Sequence, residues 1–251
     1  MIKKKIILDV DTGVDDVLAI LLAAKSTDVE LLAITAVAGN VELKKTLENS
    51  LKVIEIAGRS DIPVAAGCSG PLTGSFQGSS GFHGLDGLND LPLSKSNILP
   101  VSQHAVDLII DKVHEFPGQV TIAAVGPLTN IASAVTKDPG ILPLIKEIIL
   151  MGGAAFCPGN VTPFAEFNIW ADPEAARRVF LSGAPITMVG LDVTQKTLLQ
   201  EEDVFQMIHE NNTPAADFIN KLLRPDFDRQ KDEGYKGVKG FAMHEDYSYH
   251  N

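Results

Sequence analysis

The chain has 251 residues, 45% of them hydrophobic, with a formal net charge of −11 and a sequence pI near 4.9. This composition indicates a globular protein with a sizeable core, and its acidity argues against a nucleic-acid polymer as partner because phosphates would be repelled. No apolar run approaches the roughly 20 residues of a membrane span, and two cysteines, Cys68 and Cys157, are too few for a disulfide framework. We therefore expect one cytoplasmic, membrane-free domain over residues 1–251.

Short apolar runs rich in Ile and Val alternate along the chain with longer segments of helical periodicity. The short runs predict strands at residues 5–10, 29–39, 63–67, 119–126, 147–153 and 185–192. The longer segments predict helices at residues 15–26, 41–58, 102–115, 128–137, 172–182, 201–210 and 214–231. Strands this uniformly apolar are covered on both faces, as in parallel sheets. The sequence therefore predicts an α/β domain with a mainly parallel central sheet flanked by helices.

Polar residues and glycines lie at the carboxyl ends of the predicted strands, at one strand after another. They are Asp9 and Asp11, Gly39 and Asn40, Gly67, the segment 126–130, the segment 151–153, and Asp192. In an open parallel sheet, ligands bind beyond the carboxyl ends of the strands, so we expect the functional site at this edge. The segment 67–101 is rich in Gly, Ser, Pro and Asn, and we expect it to be a long, mobile surface loop.

Four aspartates, Asp9, Asp11, Asp15 and Asp16, crowd the junction between the first strand and the first helix. Acids at a helix N-terminus can be solvated caps that the helix dipole favours, or a bound cation can compensate their repulsion. Two of the four lie on the strand, where capping does not explain them. Ligands that offer only carboxylate oxygens suit Ca²⁺ or Mg²⁺.

Two other cation motifs share part of this spacing. An EF-hand loop counted from Asp9 would need glutamate at its twelfth position, where the chain has Ile20. A Mg²⁺-dependent aspartyl-phosphate phosphatase also places D-x-D after its first strand, but it would need Thr or Val in place of Gly13 and a later acidic motif that the sequence lacks. The phosphatase stays open as a third interpretation.

The motif D-x-D-x-G-x-D-D at residues 9–16 resembles the signature of the nucleoside hydrolases, the inosine–uridine-preferring nucleoside N-ribohydrolases. The resemblance continues through residues 34–40, 125–132, 150–154 and 159–176. It implies a Rossmann-like core and hydrolysis of the N-glycosidic bond of ribonucleosides to free base and ribose, by a Ca²⁺-bound water, in nucleoside salvage. It also implies a homodimer or homotetramer.

The resemblance assigns roles to particular residues. It implies Asp11, Asp16 and the backbone carbonyl of Thr129 as calcium ligands, with Asp11 also the general base toward water. The last ligand would be Glu245 with its longer side chain or, through a local bulge, Asp246. Asp9 would orient the loop that follows it, without contacting the metal itself.

The remaining implied residues contact the nucleoside. The ribose would be held by the side chains of Asp15, Asn40, Met151, Asn160, Glu166 and Asn168. Amides and carboxylates suit a diol, which both donates and accepts hydrogen bonds. His83 and His244 would lie near the leaving base, where a histidine can supply a proton.

The chain departs from the family pattern after His244. The family places Asp directly after this histidine, whereas here Glu245 follows and Asp246 comes next. We hypothesise that the chain lacks the family's usual C-terminal elements through truncation or a shifted reading frame. The second functional interpretation is therefore a folded but weakly active or inactive relative that binds metal or ribosides.

Overall fold

The computed structural model describes residues 3–79, 83–232 and 241–242. Its main strands are β1 (Lys4–Val10), β2 (Val29–Ala36), β3 (Val64–Ala66), β4 (Val120–Ala124), β5 (Ile145–Met151) and β6 (Ile186–Val189). They form one sheet in the order β3-β2-β1-β4-β5-β6, and every neighbouring pair is parallel. The predicted α/β architecture is confirmed. Two short strands, β7 (Leu198–Leu199) and β8 (Phe241–Ala242), pair separately and antiparallel.

A 3₁₀-helix (Pro139–Leu144) that was not predicted precedes β5. Among the α-helices of the described residues, all seven predicted ones are present, together with two short ones that were not predicted. They are α1 (Val14–Lys25), α2 (Leu43–Ala57), α3 (Ala105–Glu115), α4 (Thr129–Lys137), α5 (Phe167–Ala171), α6 (Pro173–Phe180), α7 (Leu191–Thr194), α8 (Glu201–Glu210) and α9 (Pro214–Asp232). The unpredicted helices, α5 and α7, are too short to show apolar periodicity.

Helices cover both faces of the sheet, which is why the strands are apolar throughout. Successive residues of β1 point to opposite faces: Ile7 packs into a core with α3, α4 and α6, and Leu8 packs into a second core with α1, α2 and α9. Both side chains are buried. Two apolar layers therefore hold the sheet rigid behind its carboxyl edge.

The strand order places a crevice beyond β1 and β4. From β1 the chain proceeds through β2 to β3 on one side, whereas β4, β5 and β6 extend to the other side. At such a reversal, the loops that follow the two central strands diverge and leave room for a ligand. Asp11 follows β1 and Gly126 follows β4, so the aspartate cluster lies at this reversal.

The connection between β3 and α3 has an irregular backbone in its described part. It is less superficial than expected, because Ser79, His83 and Leu88 are buried. Near its end, Val101 forms an isolated parallel bridge with Ala65. Within the described ranges, no helix is long and apolar enough to cross a membrane. The single domain, the cytoplasmic location and the dimer or tetramer stay predictions.

Candidate active site

Asp11 occupies a slot between the ends of two strands. Its Oδ2 accepts a hydrogen bond from the backbone N–H of Asn40 at 2.7 Å. A Cβ atom at Gly39 would lie 2.1 Å from Asp11 Oδ2, and one at Gly126 would lie 2.7 Å from Asp11 Oδ1. Both distances are too short for any side chain, so these two glycines are required for the close approach of their backbones to the carboxylate.

Two more acids of the cluster, Asp15 and Asp16, lie in the first turn of α1. Asp16 accepts a hydrogen bond from the backbone N–H of Gly13 at 2.8 Å, and it is buried. Asp15 is also in this first turn, where the helix dipole favours negative charge. The N-terminus of α1 thus aims two carboxylates toward the slot that holds Asp11.

Burial opposes ionisation of these acids. Burial, and then the neighbouring carboxylates, raise the pKa values of Asp11 and Asp16 well above the usual range. Burial also raises the pKa of Asp9 to about 7, although hydrogen bonds from Thr35 and Asn130 act against that rise. Crowded, buried carboxylates of this kind are typical of functional sites.

The cluster has acceptor atoms that the described residues leave unused. Asp15 Oδ1 and Asp16 Oδ1 are buried and have no hydrogen-bond partner among those residues. No lysine or arginine of the described ranges forms an ion pair with Asp11, Asp15 or Asp16. Carboxylate oxygens that have no lysine or arginine partner among the described residues fit a hard cation such as Ca²⁺.

The described part of the chain does not contain a complete metal site. It has no group of three or more His, Cys, Asp or Glu side chains placed to hold a metal ion. The predicted ligands include only two carboxylates within that part, Asp11 and Asp16. The third, Glu245, lies outside the described residues, as does His244.

The predicted backbone ligand, Thr129, is the first residue of α4. Its hydroxyl donates to Asp172 Oδ2 at 2.7 Å. The carbonyl of a helical residue accepts the N–H four residues further on, which commits the Thr129 carbonyl to α4. By contrast, the Val125 carbonyl contacts a predicted site residue, because it accepts Asn168 Nδ2 at 3.0 Å. Thr129 stays a prediction that the helix geometry does not favour.

Four of the predicted ribose-binding residues form one connected group at the ends of β4 and β5. Asn168 Nδ2 donates to the carbonyl of Met151 at 3.1 Å, in addition to that of Val125, and approaches Met151 Sδ at 3.5 Å. Glu166 Oε1 accepts the Asn168 N–H at 2.9 Å, and Asn160 Oδ1 accepts the N–H of the residue between them at 3.0 Å. The structure therefore brings these side chains together.

Two amide oxygens in the crevice remain available. Asn40 Oδ1 and Asn168 Oδ1 are buried and have no hydrogen-bond partner among the described residues. Asn40 lies next to the acid slot, since a Cβ at Gly13 would be 2.7 Å from Asn40 Nδ2. Buried polar atoms are rarely left unpaired, so these oxygens point to a polar ligand.

Glu166 accepts three backbone hydrogen bonds at the start of α5. Besides Asn168, the N–H groups of Gly153 and Ile169 donate to its Oε2 at 2.8 and 3.2 Å. Burial nevertheless raises the pKa of Glu166 from 4.5 to about 7. Desolvation of the carboxylate therefore outweighs three favourable donors.

Replacing Glu166 with glutamine should make folding stability less dependent on pH. Because the pKa of Glu166 rises from 4.5 to about 7 on folding, the folded state binds the proton more tightly, and wild-type stability falls as the pH rises between those values. The two pKa values limit this loss to about 3 kcal/mol. Chemical denaturation at about pH 5 and about pH 8 measures the free energy of unfolding of both proteins. The difference, variant minus wild type, should be larger at the higher pH.

Glutamine also loses an acceptor toward the backbone, which costs a similar amount at every pH. Therefore only the pH dependence of the stability difference between the variant and the wild type reports the burial of the Glu166 charge. The exposed Glu115 provides the control, since Glu115→Gln should leave the pH dependence unchanged. A Glu166→Gln effect of equal size at both pH values would contradict the prediction.

His83 is buried against the N-terminus of α1. Its Nδ1 accepts the backbone N–H of Val14 at 3.4 Å, and its Nε2 lies 4.0 Å from Asp15 Oδ1. Burial lowers the pKa of His83, which favours the neutral ring. Since Nδ1 is an acceptor, the proton of that neutral ring is on Nε2. The predicted base-contacting histidine therefore lies beside a predicted ribose-binding carboxylate.

Asn130 is a site residue that the sequence analysis did not single out. Its Nδ2 donates to Asp9 Oδ1 at 2.8 Å and to the Ala36 carbonyl at 3.1 Å, and its Oδ1 accepts the Cys68 N–H at 2.8 Å. It thus ties the ends of the first three strands to α4. Its place in the segment 126–130 was a signal of importance, but nothing in the sequence indicated its partners.

The parallel sheet and the acid-rich crevice place the chain among α/β proteins with a polar ligand site at the switch point of the sheet. A sequence profile described as "Inosine-uridine preferring nucleoside hydrolase" matches residues 6–248. The chain belongs to this family. The phosphatase interpretation has no support from this match.

Three relatives illustrate the similarity. Uridine nucleosidase 1 of Arabidopsis thaliana is 43% identical over 205 residues, which cover 81% of this chain and 61% of that protein. The pyrimidine-specific ribonucleoside hydrolase RihB of Escherichia coli (strain SE11) is 44% identical over 249 residues, covering 98% and 77%. A solved structure, the purine-preferring ribonucleoside hydrolase from Gardnerella vaginalis, has a TM-score of 0.90 at 38% identity, covering 96% and 77%. The chain spans less than two thirds of the Arabidopsis protein.

Proposed function

We propose that the chain hydrolyses the N-glycosidic bond of ribonucleosides and releases the free base and ribose. The observation that carries this proposal is the set of buried oxygens on Asp15, Asp16, Asn40 and Asn168 around one crevice, which have no hydrogen-bond partner among the described residues. A sugar diol presents hydroxyl donors to such acceptors. The family and the names of the relatives support the same substrate class.

Asp11 and Asp16 are the described residues that would hold Ca²⁺, with Glu245 as a further ligand. A bound Ca²⁺ would act as a Lewis acid toward water and the ribose diol. Asp11 takes up the proton of the attacking water as the general base. Asp15 accepts a hydrogen bond from a ribose hydroxyl. The transition state resembles an oxocarbenium ion, which these carboxylates stabilise by their charge.

The amides and Glu166 orient the sugar, with Asn160 holding the backbone beside them. Asn40 and Asn168 offer ribose hydroxyls the amide oxygens that no described residue uses, while Met151 packs beside Asn168. His83 directs its Nε2–H toward the side of Asp15, where this neutral ring can donate a hydrogen bond to the departing base. His244 would act on the same base. The crevice thus combines an acceptor for water's proton with a donor for the leaving group.

Release of free base from inosine and uridine tests this function directly. Both substrates are needed because one relative is named pyrimidine-specific and another purine-preferring. We expect turnover of at least one of them. Turnover of a phosphate ester but of neither nucleoside would contradict the proposal.

Removing the metal should abolish turnover. We expect a calcium chelator to lower base release to background and added Ca²⁺ to restore it, because the crowded carboxylates require a cation to offset their repulsion. Calorimetric titration of Ca²⁺ into the chelated protein measures binding separately. Binding without turnover would instead identify the weakly active relative, and activity that persists in chelator would exclude the calcium requirement.

A further inference from the structure

Residues 83–90, the His83 loop, are organised by their own side chains. The N–H of Asn89 donates to the His83 carbonyl at 2.7 Å. Asp86 and Asp90 accept backbone N–H groups of the loop, including those of Leu85 and Leu88 at 2.7 Å each. Asn89 and Asp90 have positive φ values of 57° and 55°, which asparagine and aspartate tolerate better than most residues. The loop is therefore a compact turn that begins at His83.

Asn89 joins this loop to α9 across 137 positions of sequence. Its Nδ2 donates to Asp226 Oδ2 at 2.7 Å and to the Leu222 carbonyl at 2.9 Å. Its Oδ1 accepts Arg229 Nη2 at 3.3 Å, and Arg229 also pairs with Asp226. Both amide protons of Asn89 are thus used, and both of its Nδ2 acceptors are on one helix.

Helix α9 packs into the hydrophobic core close to its contact with Asn89. Leu222, Leu223 and Phe227 are buried in the core that also contains residues of α1 and α2. Leu88, the neighbour of Asn89 in the loop, is buried in the same core. The contact therefore links the loop to a fixed support.

A second attachment keeps the loop in place independently of Asn89. Asn49 Nδ2, on α2, donates to the Asp86 carbonyl at 2.9 Å and to the Thr12 carbonyl at 3.1 Å. The middle of the loop is thus held against the aspartate junction. Asn89, in contrast, lies at the end of the loop, where its own N–H donates to the His83 carbonyl.

We propose that Asn89 is a positioning residue that fixes the His83 ring beside Asp15 by fastening the His83 loop to α9. The proposal rests on the proposed function, in which His83 donates to the leaving base. Loss of the Asn89 side chain leaves the loop attached through Asn49 but frees the backbone that carries His83. Loss of the Asn89 side chain should therefore slow the departure of the base and leave the aspartate cluster unchanged.

The variant Asn89→Gly tests this role, because glycine keeps the positive φ without strain. It is assayed on inosine and uridine and on 4-nitrophenyl β-D-ribofuranoside, whose leaving group departs without a proton. We expect kcat for the better nucleoside to fall about tenfold, a part of what a hydrogen bond to a developing negative charge contributes, and kcat for the nitrophenyl riboside to stay within about twofold. Equal losses on both substrates, or no loss on either, would overturn the proposal.

Two further variants separate positioning from a general loss of structure. Asn97→Ala removes an amide that ties the same long connection to Glu55 of α2, and it should leave the ratio of the two activities unchanged. The exchange Asn89→Asp with Asp226→Asn keeps one amide, one carboxylate and Arg229, and it should recover most of the nucleoside activity. A double variant no better than Asn89→Asp alone would count against the proposal.

The NMR signal of the His83 ring gives a readout that does not depend on turnover. After assignment with His83→Gln, we expect this signal to move in Asn89→Gly and to stay in place in Asn97→Ala. An unmoved signal in Asn89→Gly overturns the proposal even if the wild type cleaves no riboside. Absence of wild-type turnover on every riboside would by itself contradict only the proposed function.

Discussion

Replacing Asp11 with asparagine should lower kcat/KM for nucleosides by at least about a thousandfold, because the variant loses both the proposed general base and a proposed calcium ligand. Asparagine keeps the shape of the side chain, and its Oδ1 can still accept the Asn40 N–H that Asp11 accepts at 2.7 Å. Steady-state kinetics with saturating Ca²⁺ measure the loss. Calorimetry should show weaker Ca²⁺ binding in the same variant.

The same substitution should stabilise the metal-free fold. Burial and neighbouring carboxylates disfavour the ionised form of Asp11, as its raised pKa indicates, so a neutral isostere relieves that cost. We expect the free energy of unfolding in chelator to rise by about 1 kcal/mol. Asp28→Asn is the control, because Asp28 is an exposed aspartate. A fully active Asp11→Asn variant, or one destabilised in chelator, would contradict the role given to this residue.

The sheet and the position of the site were predictable because both depend on local patterns. Short apolar runs of Ile and Val are typical of strands covered on both faces, and the aspartates at residues 9–16 lie at the end of the first of these strands and just beyond it. Parallel strands bring their carboxyl ends to one edge, so residues as distant in sequence as Asp11 and Gly126 could be expected to meet. The resemblance to a family then supplied roles that spacing alone did not.

The contacts that hold the site in place were not predictable. Asn130 reaches Asp9 across 121 positions, and Asn89 reaches Asp226 across 137. An asparagine in a loop is more often a turn residue, and only the packed structure distinguishes one that joins two elements. The assignment of Thr129 had a related difficulty, since the availability of a backbone carbonyl depends on where the helix begins.

Replacing Gly39 with alanine should disable the site without touching any charged group. The new Cβ would lie 2.1 Å from Asp11 Oδ2 and 2.7 Å from Asp11 Cβ, so the carboxylate must leave its slot or the end of β2 must shift. A displacement of about 1 Å in a reacting group costs roughly a hundredfold in rate, and we expect at least that loss in kcat/KM. Overpacking of this kind also destabilises a fold by about 2 kcal/mol.

Gly70→Ala is the matched control. The atom nearest to its new Cβ is Phe76 Cβ at 3.8 Å, which is an ordinary van der Waals distance. Neither activity nor stability should therefore change. The Gly39→Ala and Asp11→Asn variants should therefore differ in the sign of their stability change. Gly39→Ala should lose both activity and stability, whereas Asp11→Asn should lose activity but gain stability in chelator. That difference distinguishes a misplaced carboxylate from an absent one. Unchanged Ca²⁺ binding and turnover in Gly39→Ala would show that the slot does not set the position of Asp11.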